Sequence, residues 1–398
     1  MSEKRLYYND SYISAFKGQI TDLYSDKDNL YLISDKTGFY PSSGGQPCDY
    51  GTIEDLPVVD VFEREDGEIV HVISPGEGHK LKTSMDINCT IDWQRRFDHM
   101  QQHTGQHILS QCYLKLFNLK TAGFHLGKDF STIDLDISDL SEEKLFSGEL
   151  YANKIVFENR PIHIKYMDKE EIKEKNIRDK SGRSGLLRII DIKDFDSSAC
   201  GGTHCNSTGE VGLIVISNRE KIKEKFRIEF LCGFRALRLF REYSSVFREV
   251  SCKFSVGSHD LVTKIDKLIT ENKENYKTLK KLKEQSMIRE VELLYHSNRT
   301  IKDNILYIKH IYEDKTVEEL KGLAKSVIMK SDNILACLAT APEPSNLIIA
   351  RSKDVTLNLS ELMKNFNRNL TGKGGGSADF VQGGGYKLQE IEKILLEL

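Results

Sequence analysis

Residues 99–118, HMQQHTGQHILSQCYLKLFN, decide how this chain reads. The segment holds no proline and one glycine, Gly105, and Met100, His103, His107, Ile108, Cys112 and Leu116 recur near every ~3.6 residues. That period predicts a helix with one face turned inward. His103 and His107, at i and i+4, share the face, so both imidazoles look into the protein. Far along the chain, CGGTH at residues 200–204 lies between two expected strands, residues 187–192 and 211–216. Gly201 and Gly202 permit the tight or positive-φ backbone that lets Cys200 and His204 converge. HxxxH and CxxxH are each common alone. Together, two helical histidines and a Cys–His pair on a turn can close a tetrahedron around one metal ion, and the donor set points to zinc.

The motif also excludes a reaction. HTGQH carries Thr104 and Gly105 where the HExxH metalloproteases have their general-base glutamate, so peptide hydrolysis by that route lacks its base. Four protein ligands would saturate zinc, whereas three would leave a position for water or substrate. The residues leave open whether Cys200 binds permanently. Cys205, beside His204, is expected to pack.

Three stretches carry a family resemblance: DWQRRFDHMQQHTGQHILS at 92–110, LRIIDIKDFDSSACGGTH at 187–204 and TGFYPSSGGQP at 37–47. They closely resemble the editing domain of alanyl-tRNA synthetase and its freestanding relatives, the AlaX proteins, and related motifs occur in the threonyl-tRNA synthetase editing domain. GKGGGSADFVQGGG at 372–385 looks like the C-terminal, DHH-associated domain of the same synthetase, so the resemblance runs over nearly the whole chain. It implies one zinc ion per chain, held by His103, His107, Cys200 and His204, at a site that hydrolyses Ser- or Gly-tRNA(Ala). It also implies that Thr37 and Gln46 line the editing pocket. The partner expected is tRNA(Ala) bearing the wrong amino acid, met at Arg95 and Arg96 and at Lys373, Gly374, Gly375 and Gly376. What the resemblance leaves out is the adenylation and tRNA-charging portion, for which 398 residues are too few. Ala199 and Ser43 depart from the family pattern and leave the choice of Ser over Gly open.

Composition fits this frame without proving it. A chain of 398 residues, 39% hydrophobic, can build two or three domains with real cores. Its eight cysteines show no framework spacing and MSEKRLYYND has no apolar signal core, which together predict a reduced, cytoplasmic protein. No apolar run approaches the ~20 residues of a membrane span. A net charge of −3 is unhelpful for binding RNA, but residues 219–241 carry eight Lys/Arg against three Asp/Glu and residues 264–289 eight against four. Those segments are either solvated helix faces or phosphate-following surfaces; the resemblance favours tRNA.

The expected fold is α+β and multidomain. Short strands at 30–34, 58–62 and 69–73, separated by Gly/Pro/Asp clusters, predict a small N-terminal β-barrel over residues 1–90. An α+β zinc-containing editing core follows over 91–243, with a strand at 132–137. Residues 261–295 lack Gly and Pro and keep a 3-4 apolar spacing interrupted by Asn272 and Asn275, which predicts a helical hairpin or coiled coil within a connector at 244–300. The C-terminal α/β domain, 301–398, should hold strands at 305–311, 334–340 and 347–350, a helix capped by Thr316 and Glu319, and a final helix at 386–396. Its seven glycines between Gly372 and Gly385 read as a linker or as a loop whose amides, with Lys373, cradle a phosphate or RNA backbone. The connector and this domain suggest a homodimer.

Chemistry is also expected at the SGGQ turn. Gly44 and Gly45 can offer backbone amides to a developing oxyanion, and Gln46 an amide that does not ionise. Thr37 is the candidate for reading the serine hydroxyl, because a site built to hydrogen-bond a hydroxyl penalises its absence, whereas an apolar pocket separates Ala from Ser weakly. A non-catalytic, zinc-stabilised tRNA-binding module is the alternative. A phosphodiesterase lacks the Asp/His-rich metal motif it would need.

Overall fold

The computed structural model describes residues 4–74, 80–175, 177, 185–257, 259–297 and 299–398; residues 1–3 of the MSEKRLYYND start lie outside them. The chain forms two compact units, residues 1–253 and 254–398.

The first unit begins with a closed barrel of six strands: β1 (Ala15–Ser25), β2 (Leu30–Ser34), β3 (Gly51–Ile53), β4 (Leu56–Glu63), β5 (Ile69–Ile73) and β6 (Asp86–Ile91). Its order is β1-β2-β5-β4-β3-β6, antiparallel throughout, and β6 returns to β1 from Ala15↔Thr90 to Gln19↔Asp86. Ile20, Leu32, Ile53, Val61, Ile73 and Ile87 fill the interior. Closure leaves no free sheet edge.

Helix α1 (Trp93–Phe117) leaves the barrel directly. Asp92 caps it by accepting from the Arg95 amide, and Asn118, left-handed at φ 55°, ends it. Every residue from His99 to Ser110 is buried, so this middle stretch of the helix is enclosed on all sides rather than on the one face its period suggested. Strands β7 (Thr121–Leu126) and β8 (Ser131–Leu135), helix α2 (Glu142–Phe157), strand β9 (Ile162–Met167), helix α3 (Lys169–Glu174), strands β10 (Leu187–Ile192), β11 (Asp196–Ala199), β12 (Ile214–Ile222) and β13 (Lys225–Cys232), and helix α4 (Gly233–Phe254) complete the unit. They form a sheet of order β12-β13-β8-β7 and a smaller one of order β11-β10-β9, with α1 packed on α2, β7, β8, β11 and β13. The strand expected at 211–216 starts only at Ile214, because residues 208–211 form a 3-10 turn.

The second unit opens with α5 (Leu261–Ser297), followed by β14 (Arg299–Lys302), β15 (Ile305–Tyr312), α6 (Val317–Val327), β16 (Ile334–Thr340), β17 (Ser345–Arg351), α7 (Leu359–Asn369), β18 (Lys373–Gly376), β19 (Phe380–Tyr386) and α8 (Leu388–Glu397). The sheet runs β14-β15-β16-β17-β19-β18 and only β15 and β16 are parallel. β16 is buried along its length: Ile334, Ala336 and Leu338 face α6, while Leu335, Cys337 and Ala339 face α7 and α8. Thr316 and Glu319 form the expected capping box. The connector is divided: α4 belongs to the first unit and α5 to the second. α5 is one uninterrupted helix of 37 residues instead of a hairpin, and its apolar Tyr276, Leu279 and Leu282 are exposed. The glycine-rich segment is likewise no loop. It is the β18–β19 hairpin, in which Gly374 pairs with Gly383 and Gly376 with Val381.

Candidate metal centre

His103, His107, Cys200 and His204 meet at one point, with one ligand atom from each lying within 4.8 Å of all the others. Sγ of Cys200 is 3.4 Å from Nε2 of His103 and 3.3 Å from Nε2 of His204. The ring centroids of His103 and His107 lie 5.3 Å apart, and that of His204 lies 4.4 and 4.7 Å from them. Gly202 is required here for space and not for an unusual φ, since a Cβ on it would stand 2.2 Å from Cε1 of His103.

Each histidine is held from behind. Nδ1 of His103 donates to Oε1 of Gln46 at 2.8 Å, and the same oxygen accepts from the Thr203 amide at 3.2 Å. Nδ1 of His107 is 2.8 Å from Oγ of Ser198, whose hydroxyl donates onward to Asp196 at 3.2 Å. Nδ1 of His204 is 3.3 Å from Oγ1 of Thr104, which also accepts from the Cys205 amide. Fixing the tautomer in this way leaves Nε2 of His103 and of His204 as the inward lone pairs, the arrangement a metal ligand needs. Thr104 therefore orients a histidine at the place where a zincin keeps its base. Burial alone would raise the Cys200 thiol, but His103 and His204 override it and hold it well below its ordinary value. Burial lowers His107, and Asp196 and Cys200 more than reverse this, raising it to about 9. Burial, and His103 after it, keep His204 well below its ordinary value. A thiolate and imidazoles tethered at Nδ1 form a donor set that could hold a metal ion.

Residues 43–46 form a tight turn beside this cluster: the Ser43 amide donates to the Gln46 carbonyl, and the Gln46 amide returns the bond to Ser43. Gly44 and Gly45 sit at φ 56° and 84°, which glycine adopts without cost. Their amides have no hydrogen-bond acceptor among the described residues.

A family model described as "Threonyl and Alanyl tRNA synthetase second additional domain" matches residues 187–229, the stretch from β10 through CGGTH into β13. The alanyl-tRNA editing protein AlaX-L of Pyrococcus horikoshii is 32% identical, over 99% of this chain and 98% of its own. The chain belongs to the alanyl-tRNA editing proteins. Another member, Aarsd1 of Danio rerio, is 27% identical over 91% of this chain and 86% of its own, and the alanine–tRNA ligase of Pyrococcus abyssi is 27% identical over 98% of this chain but only 42% of the ligase. The C-Ala domain of Aquifex aeolicus alanyl-tRNA synthetase matches 25% of this chain at 28% identity, with a TM-score of 0.23.

In this editing protein the other expected site residues fall in varied places. Gln46 is buried and bonded through both side-chain polar atoms, its Nε2 donating to Oγ1 of Thr203 at 2.8 Å. Thr37 is buried in the barrel. Nδ1 of His71 faces the Leu32 carbonyl and must donate to it, so Nε2 accepts from the Thr37 hydroxyl at 2.8 Å, while the Phe39 amide donates to the same oxygen. Arg95 lies over the ring of Tyr50, 3.9 Å from its centroid, and reaches the Cys48 carbonyl. Arg96 must be corrected. It is fully buried, ion-paired to Asp49 and bonded to the carbonyls of Ser11 and Gly38, so its charge ties α1 to the barrel and cannot face phosphate. Lys373 is exposed and donates to the Asn367 carbonyl, and Gly374 gives its amide and carbonyl to the Asn367 side chain. Gly375 and Gly376 are exposed strand residues of the hairpin. The motifs alone did not point to Ser198 and Asp196, although both lie inside LRIIDIKDFDSSACGGTH at 187–204, nor to the orienting use of Thr104 and Gln46.

Proposed function

We propose that this chain is a trans-editing hydrolase that cleaves the ester joining serine, or glycine, to the 3′ end of tRNA(Ala) at a zinc centre formed by His103, His107, Cys200 and His204. The convergence of those four side chains, each imidazole anchored at Nδ1, carries the reading. The names of the relatives support the substrate class. A Cys/His₃ set of this kind suits zinc, which when bound would polarise the ester carbonyl or a water, or anchor the substrate amino group.

The protein's own groups do the rest. Gly44 and Gly45 present acceptor-less amides on a turn fixed to the centre through Gln46, a suitable place for a tetrahedral oxyanion. Thr37 keeps one lone pair after bonding His71 and Phe39, and that lone pair reads the serine hydroxyl. Cys200 is committed among histidines and is no acyl carrier, so water is the nucleophile. Arg95 at the head of α1, and Lys373 with Gly374, Gly375 and Gly376, contact tRNA; the hairpin borders a groove of about 660 Å³ lined also by Val317, Asn346 and Phe380. The exposed seam of α5 and the C-terminal domain serve self-association, and the location is cytoplasmic. No helix among the described residues is long and apolar enough to cross a membrane.

The test is to follow amino-acid loss from Ser-tRNA(Ala), Gly-tRNA(Ala) and Ala-tRNA(Ala), with and without a zinc chelator. Fast, chelator-sensitive loss from the mischarged species alone is expected, and His107→Ala should abolish it while leaving tRNA affinity within about twofold. Binding without turnover on every substrate would instead make the chain a tRNA-binding module.

A further inference from the structure

Arg188 lies in β10 and is 7% exposed. Other buried arginines in this unit have carboxylates: Arg96 pairs with Asp49 and Arg235 with Asp98. Arg188 has none among the described residues. Its guanidinium gathers backbone carbonyls instead. Nε donates to Tyr8 at 2.8 Å, and Nη1 donates to both Cys200, at 2.8 Å, and Gly202, at 2.9 Å. Nη2 is buried without an acceptor. The Cys200 amide in turn donates to the Arg188 carbonyl at 3.0 Å, so residue 188 holds the metal turn from both its main chain and its side chain.

A buried cation is tolerated only when fixed dipoles or an anion compensate it. Here the compensation comes from the Tyr8 carbonyl and from the carbonyls at either end of the Cys200–Gly202 segment. One nitrogen, Nη1, bridges the turn that aims the sulfur: its two hydrogens, fixed in the guanidinium plane, reach the carbonyls on either side of Gly201, while Nε holds Tyr8. Tyr8, the third acceptor, adds the N-terminal segment to the same grip, and its hydroxyl lies where a Cβ on Gly201 would come within 3.6 Å.

We propose that Arg188 is a positioning residue of the metal centre: its guanidinium clamps the carbonyls of Cys200 and Gly202 and so sets the direction in which the Cys200 sulfur meets the metal. The proposal rests on the metal reading above. It assigns Arg188 no contact with substrate.

The experiment uses the full chain and Co²⁺ as the probe, with affinity read by competition against a chromophoric chelator and the sulfur–metal bond read by the charge-transfer band of bound Co²⁺. Arg188→Met is expected to weaken Co²⁺ binding about tenfold or more, the range seen when outer-shell support of a metal ligand is lost, and to shift or weaken the band. Arg188→Lys, which keeps the charge but not the fork, should show the same band change with a smaller loss of affinity. Arg235→Met, an equally buried arginine outside the cluster, should lose stability but keep affinity and band. Unchanged binding and spectrum in both Arg188 variants, or an equal loss in Arg235→Met, would overturn the assignment. So would failure of both Arg188 variants to fold, because the role would then be general stability. Absence of stoichiometric Co²⁺ binding by the unaltered chain would instead sink the metal reading itself.

Discussion

Oε1 of Gln46 accepts from Nδ1 of His103 at 2.8 Å, joining a turn of the barrel to the buried helix of the core across 57 residues of sequence. The same side chain reaches Thr203 in CGGTH, 157 residues away. Three distant parts of the chain thus meet through one amide. Gln46→Ala should therefore weaken metal binding about tenfold, with a smaller change in thermal stability. Chelator competition beside a melting curve checks this; equal affinity would deny Gln46 an orienting role.

Gly45 occupies φ 84°, and a Cβ there would come within 3.0 Å of the Phe124 ring and 3.2 Å of its carbonyl. Gly45→Ala should displace the turn amides while leaving the metal ligands in place. Deacylation is expected to fall about tenfold or more with Co²⁺ affinity unchanged. A rate equal to that of the unaltered chain would remove these amides from the chemistry.

Arg96 and Asp49 form a fully buried ion pair. Removing one partner strands the other, a change that costs about 3–5 kcal/mol. Arg96→Met should lower unfolding free energy by that order and leave tRNA affinity per folded molecule unchanged. Denaturant titration and filter binding separate the two effects.

Burial lowers His71 to about 4 from its ordinary 6.5, against the raising effect of its bond to the Leu32 carbonyl. Between those values the unfolded chain takes up a proton that the folded chain refuses, so stability rises with pH. The contribution is complete above about pH 6.5 and is lost as pH falls toward 4, amounting to about 3 kcal/mol. His71→Gln should flatten the stability profile over that window, measured by urea unfolding at pH 4.5 and 7. An equally steep profile in the variant would refute the assignment.

Local patterns made most of the fold legible. Strands Leu30–Ser34, Ile69–Ile73 and Ile334–Thr340 match their expected bounds, because a short apolar run closed at both ends by turn residues is a local signal. The convergence of His103, His107, Cys200 and His204 was legible because HxxxH and CxxxH constrain geometry over five residues. What surrounds them was not. Gln46 faces His103 only after the barrel has closed, and Arg96 looks like any surface arginine until Asp49 is placed opposite it. The glycines of 372–385 suggested free amides because composition does not reveal pairing; Gly374 and Gly383 face each other across a ladder.

The burial of the four ligands is unequal: His103, His107 and His204 are buried, and only Cys200 retains partial exposure. An ion held by this cluster would thus be nearest to solvent on the side of Cys200 and its turn. Any exchange of such an ion would then depend on the turn at residues 200–202 more than on the helix, whose opening would disrupt the core. Thiol-directed reagents and soft metals would approach from the same side, so Cys200 would be both a candidate ligand and the member of the cluster most open to competition.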